Sequence, residues 1–144
     1  MNQEYVEANA AQRQRLTRVT AGLTDAQLQR EIGGGWSVAG KLAHLAFWDQ
    51  FALALVRRWQ REGVKSLPSD VDAINDAVRA VSGAIPPRAC VALAQGAAAA
   101  IDHALEEITP VLEAAIEAAG RPRILRRSEH RREHLDQIEA ALRA

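Results

Sequence analysis

A single cysteine, Cys90, stands in the 144 residues. Neither an internal disulfide framework nor a zinc site built on several thiolates is therefore available. Charge of one sign is not in excess, since 18 Lys and Arg balance 18 Asp and Glu. That excludes nucleic-acid binding driven by bulk charge, a mode that needs a basic surplus to displace counterions. No apolar run approaches the roughly 18 residues that a membrane span needs. Met1-Asn2-Gln3-Glu4-Tyr5 offers no basic stretch leading into an apolar one. The expectation is a chain without a signal peptide, located in the cytoplasm and binding neither membrane nor nucleic acid. Alternating β-branched and aromatic runs, the mark of strands, are missing too. Gly33-Gly34-Gly35 has neither the Lys-Ser/Thr nor the strand context of a phosphate-binding loop.

What is abundant is alanine, the best helix former. Hydrophobic residues make up 48% of the chain and charged residues 25%, a globular balance that excludes wholesale disorder. The expectation is one all-α domain over residues 1–144. A first helix is predicted from Gln3 to Ala21, with Tyr5, Leu16, Val19 and Leu23 on one stripe. Thr24-Asp25-Ala26-Gln27 reads as a capping box opening a short turn, and the three glycines break the chain. Ser37 is a natural N-cap for a second helix from Val38 to Glu62. On it His44, Leu45, Trp48, Ala52, Leu55, Val56 and Trp59 fall within about 120° of one another.

Gly63 to Asp70, with Pro68, reads as a connection, and Val71 to Val81 as a short helix. Pro87 fits the first turn of a third long helix, whose face carries Val91, Ala94, Ala98, Ile101, Leu105, Ile108 and Leu112. Pro110 should kink or break it near Thr109. Gly120 and Pro122 are stop signals, and a last helix is predicted from Ile124 to Arg143. These segments make a four-helix bundle, with a long crossover carrying the short helix between helices 2 and 3.

The four histidines are the most informative residues. His130 and His134 are spaced i, i+4, so their imidazoles share one face of the last helix. That helix turns Ile124, Leu135, Ile138 and Leu142 inward, with His134 inside the arc and His130 at its margin. His44 sits within the stripe of helix 2. Three neutral imidazoles aimed into an apolar interior demand partners, because an unpaired buried polar group costs about 1–3 kcal/mol. One divalent metal satisfies all three. For His44 alone, a hydrogen-bonded core histidine is the simpler reading.

Two motifs then resemble a known family. Gly35-Trp36-Ser37-Val38 followed by Leu42-Ala43-His44-Leu45-Ala46-Phe47-Trp48-Asp49 is similar to the Trp-Ser segment and His-bearing second helix of the DinB-like (YfiT-related) superfamily of small four-helix-bundle metalloenzymes. His130-Arg131-Arg132-Glu133-His134-Leu135-Asp136-Gln137-Ile138 is similar to its C-terminal His-x-x-x-His-Leu signature, and Val71-Asp72-Ala73-Ile74-Asn75 resembles its crossover segment. The resemblance runs from about Gly34 onward. It implies His44, His130 and His134 as ligands of a divalent metal such as zinc or nickel, a site opening at one end of the bundle, and a homodimer. It further implies a low-molecular-weight thiol as cosubstrate, since characterised relatives include thiol-dependent enzymes. Two departures stand out: Pro110, which shortens helix 3, and Arg131, close to the middle of the apolar face with Arg127 one turn before it.

The expected activity is metal-dependent S-transfer or hydrolysis on a small electrophile, with metal-bound water or thiolate as nucleophile. The alternative is a metal-free helical module that binds a small molecule or a partner. Arg131 and Arg127 either bind an anionic substrate group bidentately or snorkel to water. Trp48 either walls the pocket or joins Trp59 in the core. Asp49, Glu129 and Glu133 are candidates for orienting the imidazole N–H groups. Cys90 reads as a buried small apolar residue and His103 as solvated.

Overall fold

Helices start in this chain where a small polar side chain can hold the first free amides. The computed structural model describes residues 1–65 and 68–144, so Ser66 and Leu67 of the expected Gly63 to Asp70 connection lie outside the described residues. Asn2 Oδ1 accepts from the Glu4 amide at 2.8 Å and opens α1, Gln3–Thr20. The predicted capping box forms in full: Gln27 N donates to Thr24 Oγ1 and Thr24 N to Gln27 Oε1, opening α2, Asp25–Gln29. Ser37 Oγ accepts from Gly40 N at 2.9 Å and starts α3, Val38–Glu62, with the bounds expected of it. Asp70 caps α4, Val71–Ser82, and Pro87 occupies the first position of α5, Pro87–Glu106.

Pro110 does break the helix. The chain recaps on Thr109 and resumes as α6, Pro110–Ala118. At its end Gly120 takes a φ of 71°, Arg121 N donates to Ile116 O, and Gly120 N to Glu117 O, which is the pairing of a Schellman stop.

Two boundaries differ from expectation. The glycine break is a small antiparallel hairpin, β1 Glu31–Gly33 with β2 Trp36–Ser37. Its turn residues Gly34 and Gly35 have φ of 63° and 79°. Two successive positive φ values suit the twist of a tight hairpin and are cheap only for glycine. The last helix begins later than Ile124. Pro122 seats a 3₁₀ turn over Pro122–Ile124, Arg126 is non-helical (φ −99°, ψ 65°), and α7 spans Arg127–Arg143.

The bundle consists of α1, α3, α5 and α7. Helix α3 lies along α5, α1 along α7 and α5, and the crossover helix α4 packs outside α3. Among the described residues no helix is long and apolar enough to cross a membrane.

The apolar interior is divided in two. One core gathers Leu16, Val38, Leu42, Leu45, Ala94, Leu135 and Ile138. The other gathers Val56, Trp59, Ile101, Leu105, Ile116 and Leu125. Between them, in the order of each helix, lie Asn9 and Arg13 on α1, Asp49 on α3, Asp102 on α5, and Arg127 and Arg131 on α7. The four bundle helices thus each supply at least one member of a buried polar layer.

That layer fixes the start of α7, which has no side-chain cap of its own. Asn9 supplies one from α1: its Oδ1 accepts from Ser128 N at 2.8 Å and its Nδ2 donates to Leu125 O at 2.9 Å. Replacing Asn9 with alanine should lower stability by about 1–2 kcal/mol, the usual loss for a cap combined with buried hydrogen bonds. Urea denaturation checks this, and an unchanged midpoint would remove the capping role.

Candidate metal centre

His44 leaves the second turn of α3, and His130 and His134 leave successive turns of α7. Their side chains converge. The three Nε2 atoms are 3.1 Å apart in each pair: His44 to His130, His44 to His134, and His134 to His130. They form the group of ligand atoms among the described residues that can hold a metal ion. His44 and His134 are buried, at 5% and 7% exposure.

Hydrogen bonding cannot satisfy this triangle. Each contact needs one N–H and one lone pair, and three nitrogens in a ring of three cannot alternate donor with acceptor. A cation at the centre resolves the conflict by accepting all three lone pairs. Atoms at these separations lie about 1.8 Å from their common centre, inside the roughly 2.0–2.1 Å of an imidazole–zinc bond. The three nitrogens are thus close enough together for one ion to reach all of them, and three neutral imidazoles suit a divalent transition metal.

The electrostatics keep the rings in the ligating state. Burial pushes His44 down to about 3, helped by His134 and the Lys41 ammonium. Burial and then the Arg127 cation hold His130 far below the usual histidine range. Burial also lowers His134, against the hydrogen bond its ring makes to Gln137 Oε1. All three imidazoles are neutral at pH 7, as metal binding requires.

A stability prediction follows for protein freed of metal by a chelator. Unfolded His44 titrates near 6.5 and folded His44 near 3. Its stabilising contribution is therefore complete above about pH 6.5 and lost as the pH falls toward 3. Between pH 7 and 5 this one group removes roughly 2 kcal/mol, with His130 and His134 acting in the same direction. Urea midpoints at the two pH values test it: the wild type should lose more than His44→Asn, and equal losses would contradict it.

The outer nitrogens have different partners from those expected. His134 Nδ1 lies 2.9 Å from Gln137 Oε1. Gln137 was missed in sequence, although an i, i+3 spacing on one helix face was there to find it. His130 Nδ1 stands 3.5 Å from Arg127 Nη2, the outer limit for a hydrogen bond. His44 Nδ1 is buried with no partner among the described residues. None of the three expected carboxylates orients an imidazole. Glu129 faces Arg123 and Arg126, Glu133 faces Arg123, and Asp49 is taken by arginines.

Arg131 is the main correction. It neither reaches the pocket nor snorkels: its side chain is fully buried at 0% exposure. Its Nη1 and Nη2 grip Asp102 bidentately at 2.9 and 2.8 Å. Nε and Nη2 both reach Asp49 Oδ2 at 3.2 Å, and Nη1 also donates to Asn9 O. An anionic substrate group finds no free N–H there. Asp49 Oδ1 accepts from Arg127 Nε at 2.9 Å, so through Arg127 the layer borders His130. Burial raises the Asp102 carboxyl, with Arg131 and Arg13 opposing.

The triangle forms part of the wall of a cavity of about 470 Å³ between α3, α4, α7 and the Gly120–Ile124 segment. Trp48 lines it, as do Phe51 and Val71, and Trp48 Nε1 donates to Asn75 Oδ1 of the crossover helix at 2.8 Å. Trp59 instead belongs to the core, and its Nε1 donates to Lys65 O. Cys90 is fully buried, and burial pushes its thiol up, away from reactivity. His103 is exposed beside Glu107.

The family model of the DinB superfamily matches residues 8–143. No curated protein and no solved structure matches the chain.

Proposed function

The chain belongs to the DinB superfamily, and from that premise we propose that it is a metal-dependent enzyme acting on small electrophiles. His44, His130 and His134 hold one divalent ion, zinc or nickel, and a low-molecular-weight thiol or water supplies the nucleophile. The reaction is S-transfer in the first case and hydrolysis in the second. The observation that carries this reading is the frustrated triangle of Nε2 atoms, 3.1 Å on each side, in the wall of a ligand-sized cavity.

A divalent ion held by His44, His130 and His134 would supply Lewis acidity, the property that makes a thiol or a water more acidic near neutral pH. The chain's own residues do the rest. Gln137 fixes the ring of His134 from behind. Burial keeps all three imidazoles neutral and free to ligate. Trp48 and Phe51 give the electrophile an apolar wall and keep water from one side of it. Trp48 is itself anchored by Asn75, so the crossover helix shapes the cavity.

The test is a panel of low-molecular-weight thiols with an aryl halide and an activated ester, run on metal-loaded protein. Thiol-dependent turnover that disappears on chelation and in His134→Ala supports S-transfer. Ester cleavage without thiol, lost in the same two ways, supports hydrolysis. Background rates in every arm would overturn the enzyme reading and favour a binding module.

A further inference from the structure

Lys41 stands one turn before His44 on α3 and lines the same cavity. Its stem is buried, the residue being 8% exposed, while its ammonium makes no hydrogen bond or ion pair among the described residues and is not sealed from the cavity. Its Nζ lies over the face of Trp36, 4.6 Å from the ring centroid, and burial works against its charged form while Glu133 across the cavity favours it. A face-on indole attracts a cation but accepts none of its N–H groups in the manner of a carboxylate. Glu133, the carboxylate on the cavity wall, turns to Arg123 at 3.7 Å and is largely exposed. An ammonium that lines a cavity and gives its N–H groups to no protein acceptor can donate them to an anion that enters.

The surrounding field has the same sign. The chain as a whole is neutral, but Lys41, Arg121, Arg123 and Arg127 line this cavity against one carboxylate. A concave, partly apolar site with such a surplus concentrates small anions. Arg127 is already committed to Asp49 and to Arg123 O, which leaves Lys41 as the deep donor.

The geometry points to Lys41 as the residue that recognises an organic acid. The cavity takes a small molecule whose carboxylate meets the Lys41 ammonium, whose apolar part lies against Trp48 and Phe51, and whose reacting part faces the three histidines. The inference deepens the proposed function by naming a substrate class, and it rests on the same cavity. It does not need the metal for its test.

The test titrates benzoate, 3-phenylpropionate and their neutral amides into the full chain, as purified and again after chelation. Tryptophan fluorescence reads binding through Trp36 and Trp48, with calorimetry as a second readout. The acids should bind at least about tenfold more tightly than the amides in both preparations, as one charged hydrogen-bonded pair provides. Lys41→Met should erase that preference and Lys41→Arg should keep most of it, while circular dichroism shows both variants helical. Equal binding of acid and amide, no binding of either up to 10 mM, or a preference that survives Lys41→Met would overturn the inference. A preference lost on chelation would also overturn it, by placing the carboxylate on the metal, and would leave the proposed function standing. Absence of metal in the purified protein would count against that function alone, because the chelated arm reads Lys41 by itself.

Discussion

Arg131→Met should lower the folding free energy by about 3–5 kcal/mol, the range for removing one partner from a buried ion network. The side chain is fully enclosed and has two carboxylates around it, Asp49 and Asp102, both nearly as buried. Methionine fills much of the volume but leaves those carboxylates short of their main cation. Asp49 keeps Arg127 and Asp102 keeps Arg13, which is partly exposed. Lysine should be a poor replacement, because a single ammonium cannot grip Asp102 with two parallel N–H groups while also reaching Asp49. The loss comes from uncompensated charge more than from packing. Adding Asp102→Asn to Arg131→Met should therefore recover part of the stability, a non-additivity expected of residues in direct contact. Urea denaturation of the two single variants and the double variant measures it. A loss under 1 kcal/mol for Arg131→Met would mean that the layer contributes little to folding.

The second large effect concerns the histidines. Alanine at His44, His130 or His134 should weaken divalent-metal binding by well over 100-fold, since loss of an outer partner alone costs about 10–100-fold. Gln137→Ala is such an outer-partner loss and belongs in that lower range, because it frees the His134 ring without removing a ligand. Metal should also stabilise the wild type. At a concentration near a thousand times the dissociation constant, linkage adds about 4 kcal/mol, or roughly 10 °C in a chain of this size. Differential scanning fluorimetry with and without zinc or nickel reads both results. Equal thermal shifts in wild type and His130→Ala would place the ion elsewhere.

These two sets of residues were not equally legible in the sequence. The helix starts were, because Thr24, Ser37 and Pro87 act on amides or backbone angles within a few residues of themselves. Convergence of the histidines was readable from face periodicity, since His44 and His134 each sit on an apolar stripe. The partners of Arg131 were hidden. Asp49 and Asp102 lie 82 and 29 residues away in the chain, and a lone charge on an apolar face reads locally as a snorkelling side chain or a ligand contact. The available signal was collective: acids at core positions of α3 and α5 answer bases at core positions of α7. The late start of α7 was hidden for a related reason. Its cap is Asn9, 119 residues away, whereas locally only Gly120 and Pro122 mark a stop, after which a helix from Ile124 is the simplest continuation. The hairpin at Gly33-Gly34-Gly35 has too few residues to show alternation, so only the glycine φ values reveal it.

Elemental analysis is the most direct measurement of the central claim. Tag-free protein is given a slight excess of zinc or nickel, separated from free ion by gel filtration, and compared with His130→Ala and His134→Ala treated identically. Convergence of three neutral imidazoles on one point predicts about one ion per wild-type chain and almost none in either variant. Wild type emerging without metal, or variants retaining as much as wild type, would contradict it.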